Sequence, residues 1–163
     1  MSASVMPIEG AIFHRYNEGI LRIIRRSITD RRLSARHLEQ MGAIRNRLTF
    51  LKRLESGCLT SIELDHLFSA LELDATRAYI AIICMGDPEE YFGPICETAA
   101  LVTQHLAAGL LDKSREMTGE FDPLRNSICS SLANRTVDQI MAYQDRIETC
   151  RASSGFEPQR LVG

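Results

Sequence analysis

The sequence predicts an all-α protein, on three observations. Apolar residues recur every three or four positions, as in Ile8, Ile12, Tyr16, Ile20, Ile24 and Ile28, which lines one face of a helix. Ser, Thr and Asp repeatedly precede such stripes, where their side chains satisfy the free N–H groups of a helix start. Sustained polar-apolar alternation is absent, and so is any Asn-Gly or Asp-Gly pair that would mark a tight hairpin.

The first helix is expected over residues 7–28, with Pro7 in its first turn. Phe13 and Ile23 widen its stripe, and Gly10 and Gly19 each weaken it by about 1 kcal/mol relative to Ala. Residues 29–32 break the pattern. Ser34 then caps a short second helix that stops near Gly42, with Leu33 and Leu38 spaced as a hydrophobic staple. A third helix is expected over 44–54. Its inner face is Ile44, Leu48, Leu51 and Leu54; its outer face is Arg45, Arg47, Thr49, Lys52 and Arg53. Gly57 terminates it.

Thr60-Ser-Ile-Glu63 is a capping box, flanked by Leu59 and Leu64 as a staple. It opens a fourth helix with Leu64, Leu67, Phe68 and Leu71 inward. Asp74 caps a fifth helix, 75–85, with few charges and deep burial expected, ended by Gly86. Asp87-Pro88-Glu89-Glu90 begins a single turn before Gly93-Pro94 interrupts.

Residues 95–111 read as a long helix with Leu101, His105, Leu106, Leu110 and Leu111 inward. A loop follows around Gly119. Asp122-Pro123 begins a helix to about 132, residues 134–136 break it, and Val137, Ile140, Met141, Gln144 and Ile147 form a last stripe. The expected organisation is a helical domain over 1–86, an acidic helical region over 87–151, and a loose tail over 152–163.

Size and composition narrow the function classes. The chain has 163 residues, 45% hydrophobic and 25% charged, which suits a globular protein. Its apolar runs fall far short of the ~20 residues of a membrane span, and residues 1–7 lack the pattern of a secretory signal. A soluble, cytoplasmic protein with no membrane partner is expected. Cys58, Cys84, Cys96, Cys129 and Cys150 are scattered with no C-x-x-C pair, so they are expected as small buried hydrophobes.

Catalysis finds little support. His14, His37, His66 and His105 fall on different elements. Glu63-x-x-His66 has no second copy, as a di-iron bundle would need. His105 reads as a hydrogen-bonded core residue. Neither Cys96 nor Cys129 has a neighbouring base in the sequence, and no glycine-rich phosphate loop follows a strand. The expectation is a protein that is not an enzyme, with no cofactor, no metal and no catalytic residue.

Charge distribution is more informative. Residues 1–60 hold 11 Lys and Arg against 5 Asp and Glu, whereas residues 61–163 hold 8 against 16. Such asymmetry suits an anionic partner for the first part; it equally suits attraction between the halves or between copies.

Leu33-Ser34-x-x-x-Leu38-x-x-x-Gly42, Leu51-x-x-Leu54-Glu55-Ser56-Gly57 and the stretch from Thr60 to Ala70-Leu71-Glu72-Leu73 occur in that order. Together they resemble the helix-turn-helix domain of the phage-repressor (Cro/XRE-like) family. Two departures stand out. Glu39 occupies a position where the family usually has a small residue, and the span from Gly42 to Gly57 is about three residues longer than usual.

The resemblance implies a DNA-binding transcriptional regulator with its recognition helix near 44–54. Arg45, Asn46, Arg47 and Thr49 suit base edges, because Arg grips guanine and Asn grips adenine bidentately. Arg31, Arg32, Arg36, Lys52 and Arg53 suit phosphates. Double-stranded DNA and a homodimer are the expected partners, the stripe from Val137 to Ile147 being the first candidate interface. The competing reading is a helical protein-interaction or adaptor module, in which the same basic face docks on an acidic protein surface.

Overall fold

The computed structural model describes residues 8–153, and among them every regular element is helical. The protein is all-α, as the sequence predicts. Pro7 and residues 154–163 of the expected loose tail lie outside the described residues; Ala152 and Ser153 belong to the last helix. No helix among the described residues is long and apolar enough to cross a membrane.

Helix α1, Ile8–Asp30, is the spine of the first part of the molecule. Its Ile20, Ile23, Ile24 and Ser27 are buried. Short turns then lead through three further helices before the segment 75–92 packs back against it. Arg32, at φ +52, ends α1, and the Leu33 N–H donates to the Ile28 carbonyl at 2.9 Å. Ser34 Oγ accepts from the His37 N–H at 3.2 Å and starts α2, Ala35–Gln40. Gly42, at φ +74, ends α2, with the Ala43 N–H donating to the Leu38 carbonyl at 2.9 Å. Helix α3 is Arg47–Ser56, and Gly57 at φ +71 closes it. The Thr60–Glu63 capping box opens α4, Ser61–Ala70.

Asp74 caps α5, Ala75–Tyr79, which widens into a π-helical turn, Ile80–Met85, where Ile80, Ala81 and Ile82 are buried. The fifth helix is thus half α and half π, and Tyr79 and Met85 on it are exposed. Asp87 caps a single 3-10 turn, Pro88–Phe92, ahead of α6, Pro94–Arg115. The core gathers Ile23, Ile24, Leu38, Phe50, Leu67, Leu71, Ile82 and Cys96, all fully buried.

The chain divides into two compact units, Met1–Arg115 and Glu116–Gly163. The division falls later than the expected 86/87 boundary, because residues just past Gly86 complete the first core. The Asp74 N–H donates to the buried Tyr91 hydroxyl at 3.0 Å, Arg26 pairs with Glu89 and stacks 4.2 Å from the Phe92 ring centre, and Cys96 and Ala100 are buried. The second unit, described to Ser153, consists of an irregular segment, 116–125, and helix α7, Asn126–Ser153.

Several expectations need correcting. The third helix starts three residues later than 44–54 implies. Leu48 and Leu51, expected inside, are 83% and 54% exposed, whereas Phe50 is fully buried. Leu101, His105, Leu106, Leu110 and Leu111 are all exposed; the small Cys96 and Ala100 face the core instead, which lets α6 approach closely. The expected break at 134–136 does not occur. Asn134 and Thr136 are only mildly poor helix formers, and α7 contains neither Gly nor Pro. Of the five cysteines only Cys96 is buried.

Gly19 has a packing role. A Cβ built there would lie 2.6–2.8 Å from Ile82 side-chain atoms, so its absence lets α1 rest directly on the π-helical turn. Gly19→Ala should therefore destabilise the protein by about 1–2 kcal/mol, overpacking outweighing the ~1 kcal/mol gain in helix propensity. Ile82→Val in the same chain should recover part of the loss. Denaturant unfolding of the two single variants and the double variant measures both effects.

Candidate nucleic-acid interface

The segment from α2 to α3 is built around one side chain. Asn46, at φ −143, is the N-cap of α3: its Oδ1 accepts from the Leu48 N–H at 2.9 Å and the Thr49 N–H at 3.4 Å. The cap places the first turn at Arg47 and sets which residues face outward. Ile44, expected as a helical inner residue, is buried in the preceding turn, and Phe50 and Leu54 take the inner face of α3.

Two further contacts hold α3 in place. From α1, Arg25 Nη2 donates to the Leu54 carbonyl at 2.6 Å and the Glu55 carbonyl at 3.3 Å, which satisfies the free carbonyl end of α3 with a cation. From α2, half-buried Glu39 accepts from the Arg47 N–H at 3.4 Å and lies 3.9 Å from Arg47 Nε. An acid there suits the positive end of α3.

The expected base-contact residues Arg45, Asn46, Arg47 and Thr49 are all exposed at the N-terminal end of α3. Lys52 follows on its outer face, and Arg36 is exposed on α2. Arg31 and Arg32 are exposed where α1 ends. Arg53 differs: it is half-buried, and its guanidinium pairs with Glu63 of α4. The pair clamps α3 to α4, so Arg53 is committed within the fold rather than presented as a loose phosphate ligand.

Arg45, Asn46, Thr49 and Arg53 line one open groove of about 570 Å³, whose far wall is Thr60, Ile62, Glu63 and His66 of the α4 start. The sequence reading left Thr60, Ile62 and His66 out of the candidate site. The Glu63-x-x-His66 spacing carried the signal for His66, since residues three apart share a helix face; that face is turned toward α3. Leu48 was missed because it was assigned inward. Among the described residues no three His, Cys, Asp or Glu side chains gather into a metal-binding group.

Opposing effects act on the Glu63 carboxyl. Burial raises its pKa, but hydrogen bonds from the Thr60 N–H at 3.0 Å and the Thr60 hydroxyl at 3.1 Å, with the Arg53 guanidinium, outweigh burial and hold it below the ordinary value of 4.5. Asp74 is likewise held below its ordinary 3.8: its burial is outweighed by hydrogen bonds from the Arg77 backbone and from Gln104 Nε2 at 2.8 Å. A depressed carboxyl contributes stability that is complete above its unfolded-state value and is lost as pH falls through the folded value. Glu63→Gln should therefore cost about 1–2 kcal/mol at neutral pH. Its deficit against the parent should shrink as pH drops below about 4.5. Urea melts of the two proteins across that range check the sign.

Comparison with family models, with curated proteins and with solved structures finds no match for this chain.

Proposed function

We propose that this chain is a sequence-specific DNA-binding transcriptional regulator that reads the major groove with α3. The observation that carries the reading is the two-sidedness of that helix. Phe50 and Leu54 anchor it in the core, while Arg45, Asn46, Arg47, Leu48, Thr49 and Lys52 form an exposed end and outer face. A recognition helix needs this division, with donors and short groups outward and an apolar face holding it rigid. Arg45 and Arg47 suit guanine, and the Asn46 amide nitrogen remains available for a base edge while its oxygen caps the helix. Leu48 suits the methyl of thymine, which apolar side chains recognise in the same groove. Arg31, Arg32, Arg36 and Lys52 supply phosphate contacts on this reading, and the paired Arg53 stiffens the groove wall.

A protein-docking adaptor remains the second reading, because exposed Leu48 and Leu51 would also fit an apolar groove on another protein. Retention of genomic duplex fragments at two salt concentrations, followed by sequencing, separates the two. DNA reading predicts a short enriched site and affinity that falls steeply as salt rises. Arg45→Ala with Arg47→Ala should lower affinity for that site by about 10-fold or more per residue without loss of folding. Absence of retention even at low salt would assign the face to a protein partner. Leu48→Ala should leave thermal stability nearly unchanged and weaken only sites that carry thymine at one position. Replacing that thymine with deoxyuridine should reproduce the loss in the parent protein.

A further inference from the structure

A separate cavity of about 290 Å³ is lined by the end of α1, the turn after α4, α5 and the 3-10 turn. All of its lining residues belong to the first unit, and none of them lines the groove between α3 and α4. Its size is at the small end of ligand pockets, which span about 300–1,000 Å³. Two of its polar lining residues belong to the interior of the fold: Ser27 of α1 is 4% exposed and Tyr91 is 6% exposed. Leu73 and Phe92 add apolar wall.

Hydrogen-bonding capacity is left over in this wall. A buried hydroxyl ordinarily has a partner, yet the Ser27 hydroxyl has none among the described residues. Its neighbour Thr29, by contrast, donates from Oγ1 to the Arg25 carbonyl at 2.9 Å. Arg77 Nε is also buried with no acceptor, while the other two guanidinium nitrogens reach the Gly93 carbonyl at 3.2 Å and Glu97 at 3.4 Å. The Tyr91 hydroxyl accepts from the Asp74 N–H at 3.0 Å, which leaves its own proton to donate. Burial raises that phenol above its ordinary 10.0, so it keeps the proton at neutral pH. The charged lining residues divide by their engagements. Asp30 pairs with Arg26 at 3.4 Å and Arg77 with Glu97. Arg31 and Glu72 have no ion-pair partner among the described residues, each other included. One cation and one carboxylate therefore border the same small cavity unneutralised.

We propose that this cavity binds a small zwitterion of the α-amino-acid type. The ligand carboxylate pairs with Arg31 and accepts from the Ser27 hydroxyl, its ammonium group donates to Glu72, and its side chain rests against Leu73 and Phe92. Simpler ligands fit the wall less well. An anion alone meets the repulsion of Glu72, and a cation alone meets that of Arg31. A neutral apolar molecule leaves the Ser27 hydroxyl desolvated and still without a partner. A zwitterion answers all three groups at once. Arg31 is also one of the phosphate contacts proposed above, but the cavity and its unpartnered groups belong to the free chain, so the ligand site stands or falls independently of DNA binding.

Calorimetric titration of the full chain without DNA, with each standard L-amino acid in turn up to about 10 mM, tests it. At least one should bind with a Kd of about 1 mM or tighter. The matched carboxylic acid without the amine, and the matched amine without the carboxylate, should each bind about 10-fold or more weaker. Arg31→Ala and Glu72→Gln should each weaken the amino acid by about 10-fold. Ser27→Ala should weaken it by about 5-fold yet leave the melting temperature of the ligand-free chain unchanged or slightly higher, because the hydroxyl removed has no partner in the fold. A purely structural Ser27 predicts the reverse, a lower melting temperature with unchanged affinity. Absence of binding for every amino acid would overturn the inference. So would an acid or amine that binds as well as its parent amino acid, or binding indifferent to all three variants.

Discussion

The contact on which the rest of the first unit depends is the passage of α1 over the π-helical turn Ile80–Met85. Gly19 lies there with no side chain of its own, and Ile82 fills the space that a Cβ would take. One and two turns further on, Ile23, Ile24 and Ser27 continue the buried row. Every later helix of the unit must leave that row unobstructed. The left-handed residues Arg32, Gly42, Gly57, Glu72 and Gly86 mark where it turns back toward the spine. A π-helical turn is rare and occurs mostly as a single-turn bulge inside an α-helix. Here it presents Ile80, Ala81 and Ile82 consecutively to the interior, which 3.6-residue periodicity alone would not do.

Within that frame, polar contacts set the geometry of the exposed face. Asn46 decides where α3 begins, Arg25 closes its other end, and the Arg53–Glu63 pair fixes α3 against α4. Each serves two ends at once: Glu63 completes the capping box of α4 while holding Arg53, and Glu39 joins α2 to the first turn of α3. Charged groups with two such tasks are poorly replaced, since removing either partner leaves the other desolvated and unpaired. The groove between α3 and α4 is therefore a preorganised surface, its walls held by hydrogen bonds that lie behind the residues facing outward.

Much of the architecture was legible because helix starts and stops are local chemistry. Ser34, Thr60 with Glu63, Asp74, Asp87, Gly57 and Gly86 each play the terminal part that their residue type suggests, since the groups they satisfy lie within about one helical turn. Faces were harder. The stripe Ile44, Leu48, Leu51 and Leu54 is a good helical pattern, but it presumes a helix already formed at Ile44. Asn46 is equally good as a cap, and choosing the cap rotates the interior onto Phe50 and Leu54. Hydrophobicity also favours Leu over Ala and Cys as core on α6, whereas close approach to α5 and the turns that follow it selects Cys96 and Ala100. The candidate site was legible to the extent that Arg45, Asn46, Thr49 and Arg53 do line one groove. The contribution of α4 was legible only in part: the Glu63-x-x-His66 spacing puts those two residues on one face, whereas Thr60 and Ile62 join the groove through tertiary packing that no local spacing encodes.

The same distinction bears on the acidic second half. Helical stripes from Leu101 onward were assigned inward because an amphipathic helix must bury its apolar face somewhere. Periodicity states that requirement without naming the surface that meets it. In the first unit the core that includes Ile20, Ile23 and Ile24 of α1 meets it, and Leu38, Leu54, Leu67, Leu71 and Ile82 are at most 5% exposed. Among the described residues beyond Ala100 no side chain is buried, yet apolar residues keep a helical spacing along α6 and along α7, each helix taken by itself. A segment selected only for solubility would have no reason to retain such stripes, because exposed leucines on a polar helix favour aggregation. The sequence and the structure therefore agree that α6 and α7 carry apolar residues at helical spacing and differ on their burial.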